Sequence, residues 1–74
     1  MVRLDLRELP PPEPMRRALE AVEKLGISDV LEIVTDREPM LLQHELERRG
    51  HRYVTGGSDG DFTTTIRRAK ETKP

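Results

Sequence analysis

Apolar and charged residues alternate at the start of the chain. Val2, Leu4 and Leu6 are separated by Arg3, Asp5 and Arg7, a period of two that predicts a strand with one wet face. From Glu13 the period changes: Met15, Ala18, Leu19, Val22 and Leu25 recur at helical steps and lay one apolar stripe along a helix, for which Gly26 supplies a stop. "DVLEIVT", 29–35, is short, β-branched and apolar on both parities apart from Glu32, as expected of a strand in the middle of a sheet. "TDREPMLLQHELERRG", 35–50, predicts a second helix with Thr35 or Asp36 as N-cap, Glu38 at capping-box distance from Thr35 and Gly50 at its end. "HRYVT" and "DFTTTIR" predict two more strands around a flexible hairpin loop, "GGSDG", 56–60. The tail 69–74 is expected to fray.

The predicted order is βαβαββ. Both helices then connect parallel strands by right-handed crossovers and fall on one face of the sheet, an α+β two-layer sandwich in a single domain, 1–68. The expected core is Leu4, Leu6, Leu19, Val22, Leu25, Leu31, Ile33, Leu42, Leu46, Phe62 and Ile66. The open face of the sheet is expected to carry Arg3, Asp5, Arg7, Val30, Glu32, Val34, Thr63, Thr65 and Arg67. A chain of 74 residues makes one small domain that buries roughly 60% of its unfolded surface, so no buried multi-domain active site is expected, and its stability is on the order of 4–11 kcal/mol.

Charge and composition narrow the chemistry. Thirteen basic residues against fourteen acidic ones leave almost no net field to draw in nucleic acid or an anionic membrane from a distance. The absence of cysteine excludes disulfides, thiol nucleophiles, persulfide carriage and Cys-ligated zinc. "MVRLDLRE" has no apolar core like that of a signal peptide and no run reaches membrane-spanning length, so a cytoplasmic protein with no membrane partner is expected. Ten Arg, three Lys, one Gln and no Asn fit a thermophilic source.

The densest local signal is "LPPPEPM", 9–15. Proline is harmless in the first turn of a helix, where the amides have no intrahelical acceptor and its fixed φ is already helical; Pro12 and Pro14 fit that turn. Pro10 and Pro11 hold the approach extended. The plain reading is a rigid strand-to-helix corner. Along the outer side of that helix, Glu13 with Arg17, Arg16 with Glu20, and Glu20 with Lys24 stand four residues apart, the spacing of helix ion pairs.

A strand, a leucine, Cys-Pro-x-Pro and an amphipathic helix at the head of a βαβαββ chain is the pattern of the TusA/SirA-like small sulfur-carrier proteins, and "LDLRELPPPEPM" resembles it, with Pro12-Glu13-Pro14 matching Pro-x-Pro. The similarity runs from about Leu4 to Arg68. It implies sheet order 1-2-4-3, strand four antiparallel to the rest, with Arg3 or Asp5, Glu32 and Arg67 side by side on the open face. In those carriers the cysteine before Pro-x-Pro bears the persulfide, its thiolate favoured by the helix N-terminus. The matching residue here is Pro11, which has no nucleophile, so carrier chemistry does not transfer. "VTDREP" and "LERRGHRY" are similar to a branch of the superfamily known only as a domain of unknown function, often in proteins tied to redox or respiratory metabolism.

Other chemistry is thinly represented. Glu13, Asp36 and Glu38 at the predicted helix starts have capping roles before acid-base ones. His44 and His51 lie seven apart, but Gly50 separates them and no HxxxH or HxxE spacing is present, so no metal is expected. No Ser-His-Asp arrangement or phosphate-cradling glycine loop opens a helix, so neither an enzyme nor a cofactor is expected. The leading expectation is a non-catalytic module that binds a protein, or a small redox-related ligand, beyond the carboxyl ends of strands one and two. Its candidate surface is Pro11, Pro12, Glu13, Pro14 and Arg16 with Asp36, Arg37, Glu38 and Met40. The alternative is an RNA-binding accessory protein, since the fold resembles the C-terminal domain of translation initiation factor three and Arg16, Arg17, Arg48, Arg49, Arg52, Arg67 and Arg68 are available; adjacent strand residues point to opposite faces, however, and only Tyr53 and Phe62 could stack on bases. Val30 and Val34 on the open face suggest a monomer or a weak homodimer.

Overall fold

The computed structural model describes residues 2–26, 28–58 and 60–68; the expected frayed tail, 69–74, lies outside them. The elements are β1 (Val2–Asp5), α1 (Glu13–Glu23), β2 (Val30–Thr35), α2 (Met40–Arg48), β3 (Arg52–Ser58) and β4 (Asp61–Arg67). They form one four-stranded sheet in the order β1-β2-β4-β3. β1 and β2 are parallel, and β4 is antiparallel to β2 and to β3. Leu31 and Ile33 on β2 face the helices and are fully buried with Ala18 and Val22 of α1, Leu46 of α2 and Ile66 of β4. Leu6, Leu25 and Leu42 complete this core, and Leu4, Leu9, Met15, Leu19 and Tyr53 pack around it.

The packing departs from expectation at several positions: Leu4 and Leu19 are only partly buried, Val34 is buried on the open face, and β4 differs most. Phe62 is only half-buried and lies outside the core, because it sits near the end of β4 opposite Thr35 and Gly57, the latter with no side chain to cover it. Thr64 takes the inward position instead and is fully buried. Its hydroxyl lies 3.0 Å from that of Thr55, which accepts a hydrogen bond from the Gln43 amide at 3.0 Å. This polar chain ties α2 to β3 and β4, and it makes a threonine acceptable in an apolar layer.

α1 begins with Glu13 and Pro14 in its first turn and no side-chain cap; Pro12 is its N-cap rather than part of that turn, and the approach expected to be extended is a turn, closed by the Glu13 amide on the Pro10 carbonyl at 3.0 Å. It ends at Glu23, before Gly26. Along it Arg16 bridges Glu13 at 2.7 Å and Glu20 at 3.1 Å, so Glu13 pairs with Arg16 rather than with Arg17. α2 corrects a second expectation: it starts at Met40 after Pro39, and the capping box does not form. A residue before proline is driven out of the α region, so Glu38 cannot be helical and the helix waits for Pro39 to pass. The Thr35 hydroxyl donates to the Arg37 carbonyl at 2.7 Å and closes a turn instead. The other end follows the expected stop: Gly50, at φ 81°, lets its own amide reach Glu47 and the His51 amide reach Leu46, the paired bonds of a Schellman cap.

The segment expected as a loop at 56–60 is mostly strand. Gly56, Gly57 and Ser58 pair with Thr63, Phe62 and Asp61, leaving a two-residue connection in the hairpin. Gly57 allows this because it adopts φ 113°, and a Cβ there would overlap the Asp61 carbonyl and stand 3.2 Å from the Phe62 Cα. Replacing Gly57 by alanine is expected to destabilise the domain by about 2 kcal/mol or more, read from urea unfolding; an unchanged midpoint would show that the hairpin does not need the positive φ.

Candidate functional site

Three connections meet beyond the carboxyl ends of β1 and β2. β1 is prolonged by a bond from the Leu6 amide to the Val34 carbonyl, 2.8 Å, after which Glu8 turns the chain in a left-handed conformation, φ 68°. The Glu8 amide donates to Asp36 Oδ2 at 2.6 Å. The backbone carbonyl of the same Asp36 accepts from the Gly60 amide of the hairpin at 2.9 Å. Asp36 therefore joins the β1–α1, β2–α2 and β3–β4 connections and does not cap α2.

This junction places the proline corner against the start of α2. Between them runs a cleft. One part, about 350 Å³, is lined by Leu6, Leu9, Pro11, Pro14, Thr35, Asp36, Arg37, Glu38 and Pro39. A second part of similar volume shares the proline and Arg37–Glu38 walls and extends over Pro12, Met15, Met40, Leu41 and Leu42. Its lining is almost wholly apolar, and Met40 and Leu41 stand 60% and 78% exposed at its rim. The Pro11–Pro12 peptide bond that forms one wall is cis.

Of the candidate residues, Pro11, Pro12, Pro14, Asp36, Arg37, Glu38 and Met40 are brought together along this cleft. Glu13 and Arg16 are not: they bind one another on the outer side of α1, and the Arg16 guanidinium holds the Glu13 carboxyl below the usual range. Leu41 was not legible as a site residue from its surroundings in sequence, yet a signal existed: Leu42 and Leu46 form the inward stripe of α2, which leaves the adjacent leucine facing out. Arg37 forms no ion pair among the described residues, so the cleft has one unneutralised cation beside its apolar wall.

The remaining chemistry is local. Among the described residues no group of three or more His, Asp or Glu side chains is placed to hold a metal ion, and burial lowers the His51 pKa. Tyr53 packs against the core and donates its hydroxyl to Glu47, which raises the phenol pKa. No helix among the described residues is long and apolar enough to cross a membrane.

The comparisons with known proteins bear on this geometry. A family described as "Uncharacterized conserved protein (DUF2249)" matches residues 3–68. The chain belongs to this family. Its structure is similar to the crystal structure of the SirA-like protein from Desulfitobacterium hafniense, with a TM-score of 0.81 and 26% identity over 95% of this chain and 100% of that one. No curated protein matches the chain. This DUF2249 chain is thus a TusA/SirA-like domain without cysteine.

Two outcomes follow from the junction. Asp36→Ala is expected to cost about 1 kcal/mol, because the lost bond is charge-assisted but exposed. Amide exchange should then accelerate at Glu8 and stay unchanged at Gly60, whose acceptor is backbone; equal protection at Glu8 would remove Asp36 from this role. Nearby, the Arg7 guanidinium hydrogen-bonds Asp5 and holds its carboxyl at about 2 instead of 3.8. A folded pKa below the unfolded one means a stability contribution present above 3.8 and lost as pH falls through about 2. Thermal melts across this window should be flatter for Asp5→Asn than for the native chain, and a carboxyl titrating near 3.8 by NMR would refute the pairing.

Proposed function

We propose that this DUF2249 domain is a non-catalytic docking module, and that the cleft between the proline corner and the start of α2 receives an apolar segment of a protein partner. The observation that carries this reading is the apolar wall itself: prolines, Met15, Met40 and Leu41 form one patch, two of them largely exposed, whereas the other exposed large apolar side chains among the described residues, Val2 and Val54, stand singly on β1 and β3. Exposed contiguous apolar surface of this kind marks interaction sites, and its place beyond the carboxyl ends of parallel strands is where open α/β sheets bind their ligands.

The TusA/SirA-like resemblance supports the location. The position that bears the reactive cysteine in the carriers corresponds to Pro11, and Pro11 lines both parts of the cleft. A carrier must present that position to its partners; with proline there, contact can persist while transfer chemistry cannot. The resemblance also suggests a setting in redox or sulfur metabolism. The RNA alternative is weaker, because the Tyr53 ring is packed and its hydroxyl engaged, which removes one of two aromatic platforms for bases.

Affinity capture from a lysate of the source organism, with and without ribonuclease, tests the reading. One or a few proteins should survive nuclease treatment and fall about tenfold in recovery with Leu41→Asp, a substitution at an exposed position that leaves the fold intact. Equal capture by Leu41→Asp, or loss of all binding on nuclease treatment, would overturn it.

A further inference from the structure

We propose that the open face of the sheet is a second docking surface, independent of the cleft, and that it takes an acidic amphipathic helix of a partner protein. The sheet is covered by helices on one side only, so its other face is open to a partner, and a third layer, though occasional, is an architecture the fold can accept. The side chains on the bare side define what that layer must be.

The register aligns Arg67 of β4 directly opposite Arg52 of β3, with Val30 of β2 on the other side of Arg67. Neither arginine forms an ion pair among the described residues, whereas Arg3, Arg7, Arg16, Arg48 and Arg49 all do. Like charges facing each other across neighbouring strands destabilise a sheet, so this pair is an uncompensated cost in the isolated domain. Beside it, Val54 is 73% exposed opposite Thr65. Glu32, the carboxylate in the next row, is already bound by Arg3. The face therefore offers exposed apolar surface next to two cations with nothing to neutralise them.

A second copy of this chain does not fit, because a two-fold contact centred here would press two such arginine pairs together. The expected dimer through Val30 and Val34 is further weakened by Val34, which is only 3% exposed and has no side chain to offer. Nucleic acid fits less well than protein: Tyr53 points to the core side, no aromatic residue stands on this face for bases to stack on, and valine contributes nothing to phosphate. Carboxylates flanking an apolar stripe satisfy both halves of the surface.

Phage-displayed random 16-residue peptides selected on the full chain provide the test. A class of binders should emerge that is net negative with apolar residues at helical spacing. It should lose about tenfold in affinity on the Arg52→Ser, Arg67→Ser double variant and be unaffected by Leu41→Asp, which disables the cleft alone. Independently of any ligand, Arg67→Glu should raise the melting temperature by about 1–5 °C by turning the repulsive pair into an attractive one. Absence of such a class, binders without acidic residues, or poly(U) RNA binding with the same arginine dependence would overturn the proposal, as would a melting temperature lowered by Arg67→Glu.

Discussion

A single aspartate joins the three connections beyond the carboxyl ends of β1 and β2. The Asp36 side chain accepts the amide of Glu8, and its carbonyl accepts the amide of Gly60. Neither Glu8 nor Gly60 has another strand or helix to bond to at that point, and each takes a positive φ, so both connections depend on an external partner for their backbone groups. With those bonds in place the proline corner is held against Pro39 and the start of α2, and the apolar cleft exists. Without them three connections would be free to separate, while the core formed by Leu31, Ile33, Leu46 and Ile66 would stay closed behind them.

The cleft is shaped by residues that cannot relax. Proline carries a fixed φ and little side-chain entropy, so a wall made from Pro11, Pro12, Pro14 and Pro39 loses little on binding. The corner differs chemically from the one found in sulfur carriers. There the helix N-terminus serves to stabilise a thiolate; here the N-cap is a proline with no side-chain cap, and the first carboxylate, Glu13, turns aside to Arg16. Rigidity and apolar area remain where reactivity has no atom to act through.

The element order and the helix-facing residues of β2 were legible because each rests on a strong local pattern: alternation in β1, a helical stripe in α1, β-branching in β2; the strand order came from the TusA/SirA-like resemblance, since no local pattern carries it. The errors came from single residues acting against such a pattern. Pro39 overrides a plausible capping box by excluding Glu38 from the helix. Gly57 extends a strand through a segment whose composition reads as loop, since only its contact with Asp61 and Phe62 reveals why glycine is required. Val34 is buried despite its open-face parity, because it lies between Asp5 and Thr63 in the middle of the sheet, a long-range fact that no local pattern carries. Of the cleft, the prolines and the Asp36–Glu38 segment were visible as chemistry, but their convergence depends on Asp36 and the Glu8 turn.

The two proposed surfaces lie at opposite ends of the same strand. The cleft adjoins Thr35, the last residue of β2, whereas Arg67 and Arg52 stand in register with Val30, the first. Six residues of strand separate these ends by about 17–20 Å, and the sheet itself lies between the cleft side and the bare face. One short segment cannot occupy both. A domain this small has little stability to spare; half of its ten arginines form ion pairs among the described residues, and the buried threonine hydroxyls have partners. An exposed apolar wall at one end and a repulsive arginine pair at the other are therefore two separate departures from self-sufficiency, which is why the two surfaces are proposed to act independently.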